Sequence, residues 1–103
     1  MENSIVTTVR LEQSLVKELD NLAKTEHTDR TSILKQVLNA GIKEIKIRYA
    51  LQLYQEGRVS VGKAKELAGV SLWEFLDILK ARKIGFRTDE EEFAIQLKEF
   101  ESR

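Results

Sequence analysis

Residues 4–11 (S-I-V-T-T-V-R-L) alternate strictly. Ile5, Thr7, Val9 and Leu11 fall on one side and Val6, Thr8 and Arg10 on the other, and five of the eight positions are β-branched. That is the period and composition of a β-strand. Beyond it every apolar pattern has helical spacing, so the strand finds no partner within the chain. A solitary strand leaves its backbone N–H and C=O groups unpaired. The economical remedy is antiparallel pairing with the same strand of a second copy about a two-fold axis. The pattern therefore predicts a homodimer.

Leu15, Leu19, Leu22 and Ala23 make one stripe of a helix running from residue 13 or 14 to about 25. The stretch Glu26-His27-Thr28 breaks that pattern, and Asp29 supplies an N-cap. Ile33, Leu34, Val37, Leu38 and Ile42 then open a second stripe. No stop signal follows until Gly57, which predicts a second helix of roughly 27 residues and ~40 Å. Gly41 inside it costs up to ~1 kcal/mol relative to alanine, a cost that close approach of another helix would offset. From Ile45 to Tyr54 the apolar residues spread around most of the helix. This half is expected to be buried on all sides and to join two packed units.

After Gly57-Arg58, Ser60 caps a short helix ending near Ala68, and Gly69 supplies a turn. Ser71 caps a further helix reaching about Lys83, with Leu72, Phe75, Leu76 and Leu79 as its core positions. Helix, tight turn and helix is a helix-turn-helix outline. Thr88 with Glu91 three residues on is a capping-box pattern opening a last helix. On that helix Phe93, Leu97 and Phe100 form a narrow apolar stripe among acidic residues. The stripe is expected to dock on its own domain, the alternative being a partner groove.

The 103 residues carry 17 Lys+Arg and 17 Asp+Glu, for a net charge of zero. The balance is uneven along the chain: a mildly basic stretch at 49–87 precedes an acidic tail at 88–103. The absence of Cys removes disulfides, thiol catalysis and thiolate metal sites, and a single His, His27, removes a His-based metal cluster within one chain. No apolar run approaches the ~20 residues of a membrane span, and the N-terminus lacks the features of a secretory signal. A cytoplasmic location is expected, with no membrane contact, no metal and no cofactor. Gly57, Gly62 and Gly69 are isolated and make no phosphate loop. Glu90-Glu91-Glu92 suits a helix start better than acid–base chemistry. Catalysis is not expected.

The string T-V-R-L-x-x-x-L-x-x-x-L-x-x-L-A followed by D-R-T-S-I-L-K-Q-V-L resembles the ribbon-helix-helix (CopG-like) family of DNA-binding regulators, over about residues 4–45. The resemblance implies a dimer joined through the N-terminal strand and the second helix. Its paired strands enter the DNA major groove, which admits a two-stranded ribbon. Val6, Thr8 and Arg10 are then the base-contacting residues: Arg10 can bind guanine O6 and N7, and Val6 can touch a thymine methyl. Arg30, Thr31 and Ser32 at the start of the second helix, with Lys35 one turn on, are the implied phosphate contacts.

With Y-Q-E-G-R-V-S-V-G-K-A before the turn string A-G-V-S and T-D-E-E-E-F after it, residues 49–97 resemble an uncharacterised prokaryotic family of small proteins proposed as antitoxins. The helix-turn-helix-like unit is a weaker candidate for DNA, because Glu74 and Asp77 occupy the first turns of its second helix and would repel phosphates. Trp73, Glu74, Asp77, Phe93, Leu97 and Phe100 are the candidates for binding a partner protein such as a toxin. Trp73 is expected either in the core or as an interface anchor.

The expected architecture is mainly α. A ribbon-helix-helix domain with one intermolecular strand pair (1–48) precedes a helical domain with a helix-turn-helix-like unit and an acidic C-terminal helix (49–103). The expected function is that of a dimeric, sequence-specific transcriptional regulator and autoregulating antitoxin. The alternative is an interaction module whose C-terminal half binds a partner protein.

Overall fold

The computed structural model describes residues 3–102. The chain is mainly helical, with α1 (Gln13–Thr25), α2 (Arg30–Gln55), α3 (Val61–Ala68), α4 (Leu72–Ala81) and α5 (Asp89–Glu101). No strand occurs among the described residues, and residues 3–12 run exposed to the start of α1. A pairing that needs a second copy leaves this segment of a single chain without a ladder partner.

Local chemistry sets the helix boundaries. Ser60, Ser71 and Thr88 each accept the backbone N–H three residues on, from Lys63, Glu74 and Glu91. Asp29 does the same for α2, accepting from Ser32 N–H at 2.7 Å. The first four helices close alike. An amide just past each end reaches back five residues: Thr28 to Ala23 O, Arg58 to Leu53 O, Val70 to Lys65 O and Ile84 to Leu79 O. This closure needs one left-handed residue. Gly57 and Gly69 fill the position in two cases, at φ of 71° and 72°, and His27 and Lys83 fill it in the others.

The chain forms two compact units, Met1–Asn39 and Ala40–Arg103, with α2 contributing to each. The first has a small core of Leu19 and Ala23 from α1 and Ile33 from α2, with Leu34 against it. The predicted stripes are wider than this contact covers, so Leu15, Leu22, Val37 and Leu38 remain exposed.

The second unit has the larger core: Ile47, Ala50, Leu51, Leu53 and Tyr54 of α2, Val59, Ala64 and Ala68 of α3, and Phe75 and Leu79 of α4. Tyr54 and Phe75 meet edge to face at 5.8 Å between ring centroids. Several expectations are corrected in this unit. Ile45 and Tyr49 are exposed, because only one side of α2 is covered by α3 and α4; the helix is not buried all round. Leu72, expected in the core, is exposed at the start of α4, since the buried face of that helix is set by Phe75 and Leu79; Trp73 beside it is exposed as well.

Beyond the backbone of its own helix, no atom of the described residues lies within 4 Å of the place a Cβ would occupy at Gly41, so the expected close approach of a second helix is not made among them. Gly41→Ala is accordingly expected to stabilise the chain by up to about 1 kcal/mol in urea unfolding followed by circular dichroism.

Candidate nucleic-acid interface

Val6, Thr8 and Arg10 lie on the exposed N-terminal segment, with Val6 94% exposed. Ile5 and Val9, on the alternate side of that segment, are also exposed. The structure thus leaves both faces of the sequence-predicted strand uncovered in one chain.

The start of α2 is more committed. Arg30 grips Asp20 of α1 with two hydrogen bonds, Nε to Oδ1 at 2.7 Å and Nη2 to Oδ2 at 2.8 Å. The Asp29 carboxylate takes the Ser32 N–H. Of the four predicted phosphate contacts, Thr31 and Lys35 remain exposed, Arg30 is paired to Asp20, and the Ser32 amide is already satisfied within the turn.

These contacts set the charge state of the α1–α2 turn. The hydrogen bond from Arg30 holds the Asp20 carboxyl below its ordinary value of 3.8, and in return raises the Arg30 guanidinium. The Ser32 amide, with its hydroxyl second, holds Asp29 below 3.8 as well. A carboxylate whose folded pKa is depressed contributes stability above its unfolded pKa and loses it as pH falls through the folded value. The first unit is therefore expected to lose stability as pH drops below about 4. Asp20→Asn should flatten that acid limb in denaturant titrations at several pH values, while a slope unchanged by the substitution would exclude this pair as its source.

In the second unit the partner candidates separate. Trp73, Glu74 and Asp77 are exposed on α4. On α5 the predicted stripe does not dock: Phe93, Leu97 and Phe100 are 62%, 48% and 72% exposed. The opposite side of α5 is held instead, by buried Ile95 and by two carboxylates. Glu99 accepts from Ser60 N at 2.6 Å and from Ser60 Oγ at 3.0 Å, and Glu92 accepts from the Val61 amide. Anions at a helix N-terminus meet free amides and the positive end of the dipole. Three hydrogen bonds to the start of α3 thus fix the side on which α5 sits.

Sequence reasoning missed Arg87 altogether. Its Nη1 and Nη2 donate to the carbonyls of Tyr54 and Val59, its Nε bonds Glu92 at 3.2 Å, and its guanidinium lies 3.8 Å over the Tyr54 ring. Arg87 and Glu92 are only 13% and 15% exposed at their side chains. Arg87 thus caps the C-terminal end of α2 while Glu92 caps the start of α3, and the ion pair ties the two together. No local pattern around Arg87 signals this, because its partners Tyr54 and Val59 are 33 and 28 residues away.

No group of three or more His, Cys, Asp or Glu side chains able to hold a metal occurs among the described residues. Among the described residues no helix is long and apolar enough to cross a membrane.

Two family models match the chain, over stretches that overlap at residues 28–44. Residues 28–101 match the family model described as an uncharacterised protein family, UPF0175. Residues 5–44 match the model of the ribbon-helix-helix proteins of the copG family. A UPF0175 protein of Aeropyrum pernix is 42% identical over 50 residues, covering 48% of this chain and 56% of the relative. A second from the same organism is 50% identical over 42 residues, covering 41% of this chain and 53% of its own. One from Archaeoglobus fulgidus is 47% identical over 49 residues, covering 48% and 56%. The matched stretch spans just over half the length of these curated relatives. No solved structure matches the chain.

Proposed function

This chain belongs to the uncharacterised protein family UPF0175, and from that premise we propose that it is a dimeric, sequence-specific DNA-binding transcriptional regulator that reads the major groove with its N-terminal strand pair. One observation carries the reading: an alternating segment, inside the stretch that matches the ribbon-helix-helix model, stands exposed, and its alternation sets Val6, Thr8 and Arg10 on one side. Two such segments paired antiparallel bury Ile5 and Val9 and turn the polar side to the groove. The uncovered Leu15, Leu22, Val37 and Leu38 of the first unit are apolar surface that the second copy takes up. Phosphate contact falls to Thr31 and Lys35, with Arg30 and Ser32 shaping the turn behind them.

The antitoxin role extends this reading: the same chain represses its own operon and holds a toxin through its C-terminal half. Exposed Trp73, flanked by Glu74, is the observation that favours a protein partner there.

The test is a binding titration of the full chain against DNA from upstream of its own gene at several salt concentrations. Tight binding that weakens steeply with salt is expected. The absence of binding at low salt would overturn the DNA reading and leave the interaction module as the function.

A further inference from the structure

Two apolar stripes of the second unit stand uncovered. On α2 they are Ile42, Ile45 and Tyr49, at 52%, 58% and 55% exposure; on α5 they are Phe93, Leu97 and Phe100. Their spacings are mirror images. The first reads i, i+3, i+7 and the second i, i+4, i+7, so laid antiparallel they bring Ile42 to Phe100, Ile45 to Leu97 and Tyr49 to Phe93. Both stripes span two helical turns, about 10 Å, and such spacing is what lets side chains of one helix enter the gaps of another.

Their rims carry opposite charge. Exposed Lys46 and Arg48 flank the α2 stripe, and Glu44, the acid nearest them, is already paired with Arg82 at 3.2 Å. Asp89, Glu90 and Glu101 flank the α5 stripe and are exposed, while Glu92 and Glu99 are spent on α3. Pairing α5 with α5 sets Glu90 and Glu101 against acids of the same kind. Pairing α2 with α2 sets Lys46 and Arg48 against bases. Only the crossed pairing joins unlike rims. It cannot form within one chain while α5 is held on α3 by its other side.

We propose that the apolar stripe of α5 packs antiparallel on the Ile42–Ile45–Tyr49 stripe of α2 in a second copy of this chain. In a two-fold dimer the contact occurs twice, once in each direction. It lies wholly in the second unit and does not rest on the DNA reading.

The chain has no Cys, so engineered cysteines report contacts without background. A tagged full-length Ile45→Cys chain is mixed with an untagged Leu97→Cys chain and oxidised, and Ile42→Cys with Phe100→Cys serves as a second pair; unchanged helical circular dichroism establishes that each variant folds. The crossed disulfide is expected to dominate in at least one pair. It should disappear when the α5 chain also carries Glu90→Lys and Glu101→Lys, and return when the α2 chain carries Lys46→Glu and Arg48→Glu. Dominant 45–45 or 97–97 products, or no cross-link in either pair of folded variants, would overturn the proposal, as would a cross-link indifferent to the charge reversals. Arg10→Ala should leave the crossed product unchanged, which separates a failure here from a failure of DNA recognition.

Discussion

Arg87→Ala is expected to destabilise the second unit by about 3–5 kcal/mol, the range for removing one partner of a buried ion pair. The substitution does more than break a pair. It takes the side-chain donor from the Val59 carbonyl, leaves the Tyr54 carbonyl with the Gly57 amide alone, leaves Glu92 buried opposite no cation, and removes the guanidinium from the Tyr54 ring. Each loss falls on a group that water reaches poorly, where an unmade hydrogen bond is most expensive. Lysine at the same position restores the charge but not the fork that serves two carbonyls and a carboxylate at once, so Arg87→Lys should recover part of the loss only. Arg82→Ala is the internal control. Arg82 also pairs with a glutamate, Glu44 at 3.2 Å, but both side chains are 40% or more exposed, and such pairs contribute about 0–1 kcal/mol. Urea unfolding followed by far-ultraviolet circular dichroism distinguishes the two. Equal effects of Arg82→Ala and Arg87→Ala would mean that the guanidinium network adds nothing beyond an ordinary surface pair.

Arg10→Ala is expected to reduce specific DNA affinity by roughly 2–6 kcal/mol per dimer, since each bidentate arginine–guanine contact is worth about 1–3 kcal/mol and a two-fold dimer presents two. Helical content should not change, because Arg10 is exposed and precedes α1. The signature matters as much as the size. Loss of Arg10 should erase the preference between operator and unrelated DNA. Loss of Lys35, a proposed phosphate contact, should weaken both and lower the salt slope by about one for each contact removed. If Arg10→Ala keeps full operator preference, the ribbon does not read bases, and recognition belongs elsewhere in the chain.

The five helices were legible because their signals are local. Asp29, Ser60, Ser71 and Thr88 announce helix starts within three residues of the amides they bind, and Gly57 and Gly69 mark ends through their own backbone. What the sequence left undecided is which face of a helix is covered. On α5 the stripe with two phenylalanines is the stronger periodic signal, yet the helix is seated by Ile95 and two glutamates. Periodicity reports that apolar residues share a side; it contains nothing about three donors waiting at the start of another helix. Ile45 and Tyr49 illustrate the same gap, since an all-round apolar α2 need not have neighbours all round within its own chain. Arg87 was invisible for a related reason. Two of its three partners are carbonyls 33 and 28 residues upstream, on the far side of α3 and α4.

The cross-capping of α3 by α5 has a kinetic consequence. The first two amides of a short helix ordinarily exchange with solvent almost freely, because nothing inside the helix accepts them. Here the amides of the cap residue Ser60 and of Val61 are held by Glu99 and Glu92, whereas the Lys63 amide is held by the hydroxyl of Ser60, the cap of α3 itself. The protection of residues 60 and 61 from deuterium therefore measures how often α5 lifts away, and that of Lys63 how often α3 opens. Two neighbouring probes on one helix thus keep separate clocks, one of which is set by a segment 30 to 40 residues downstream.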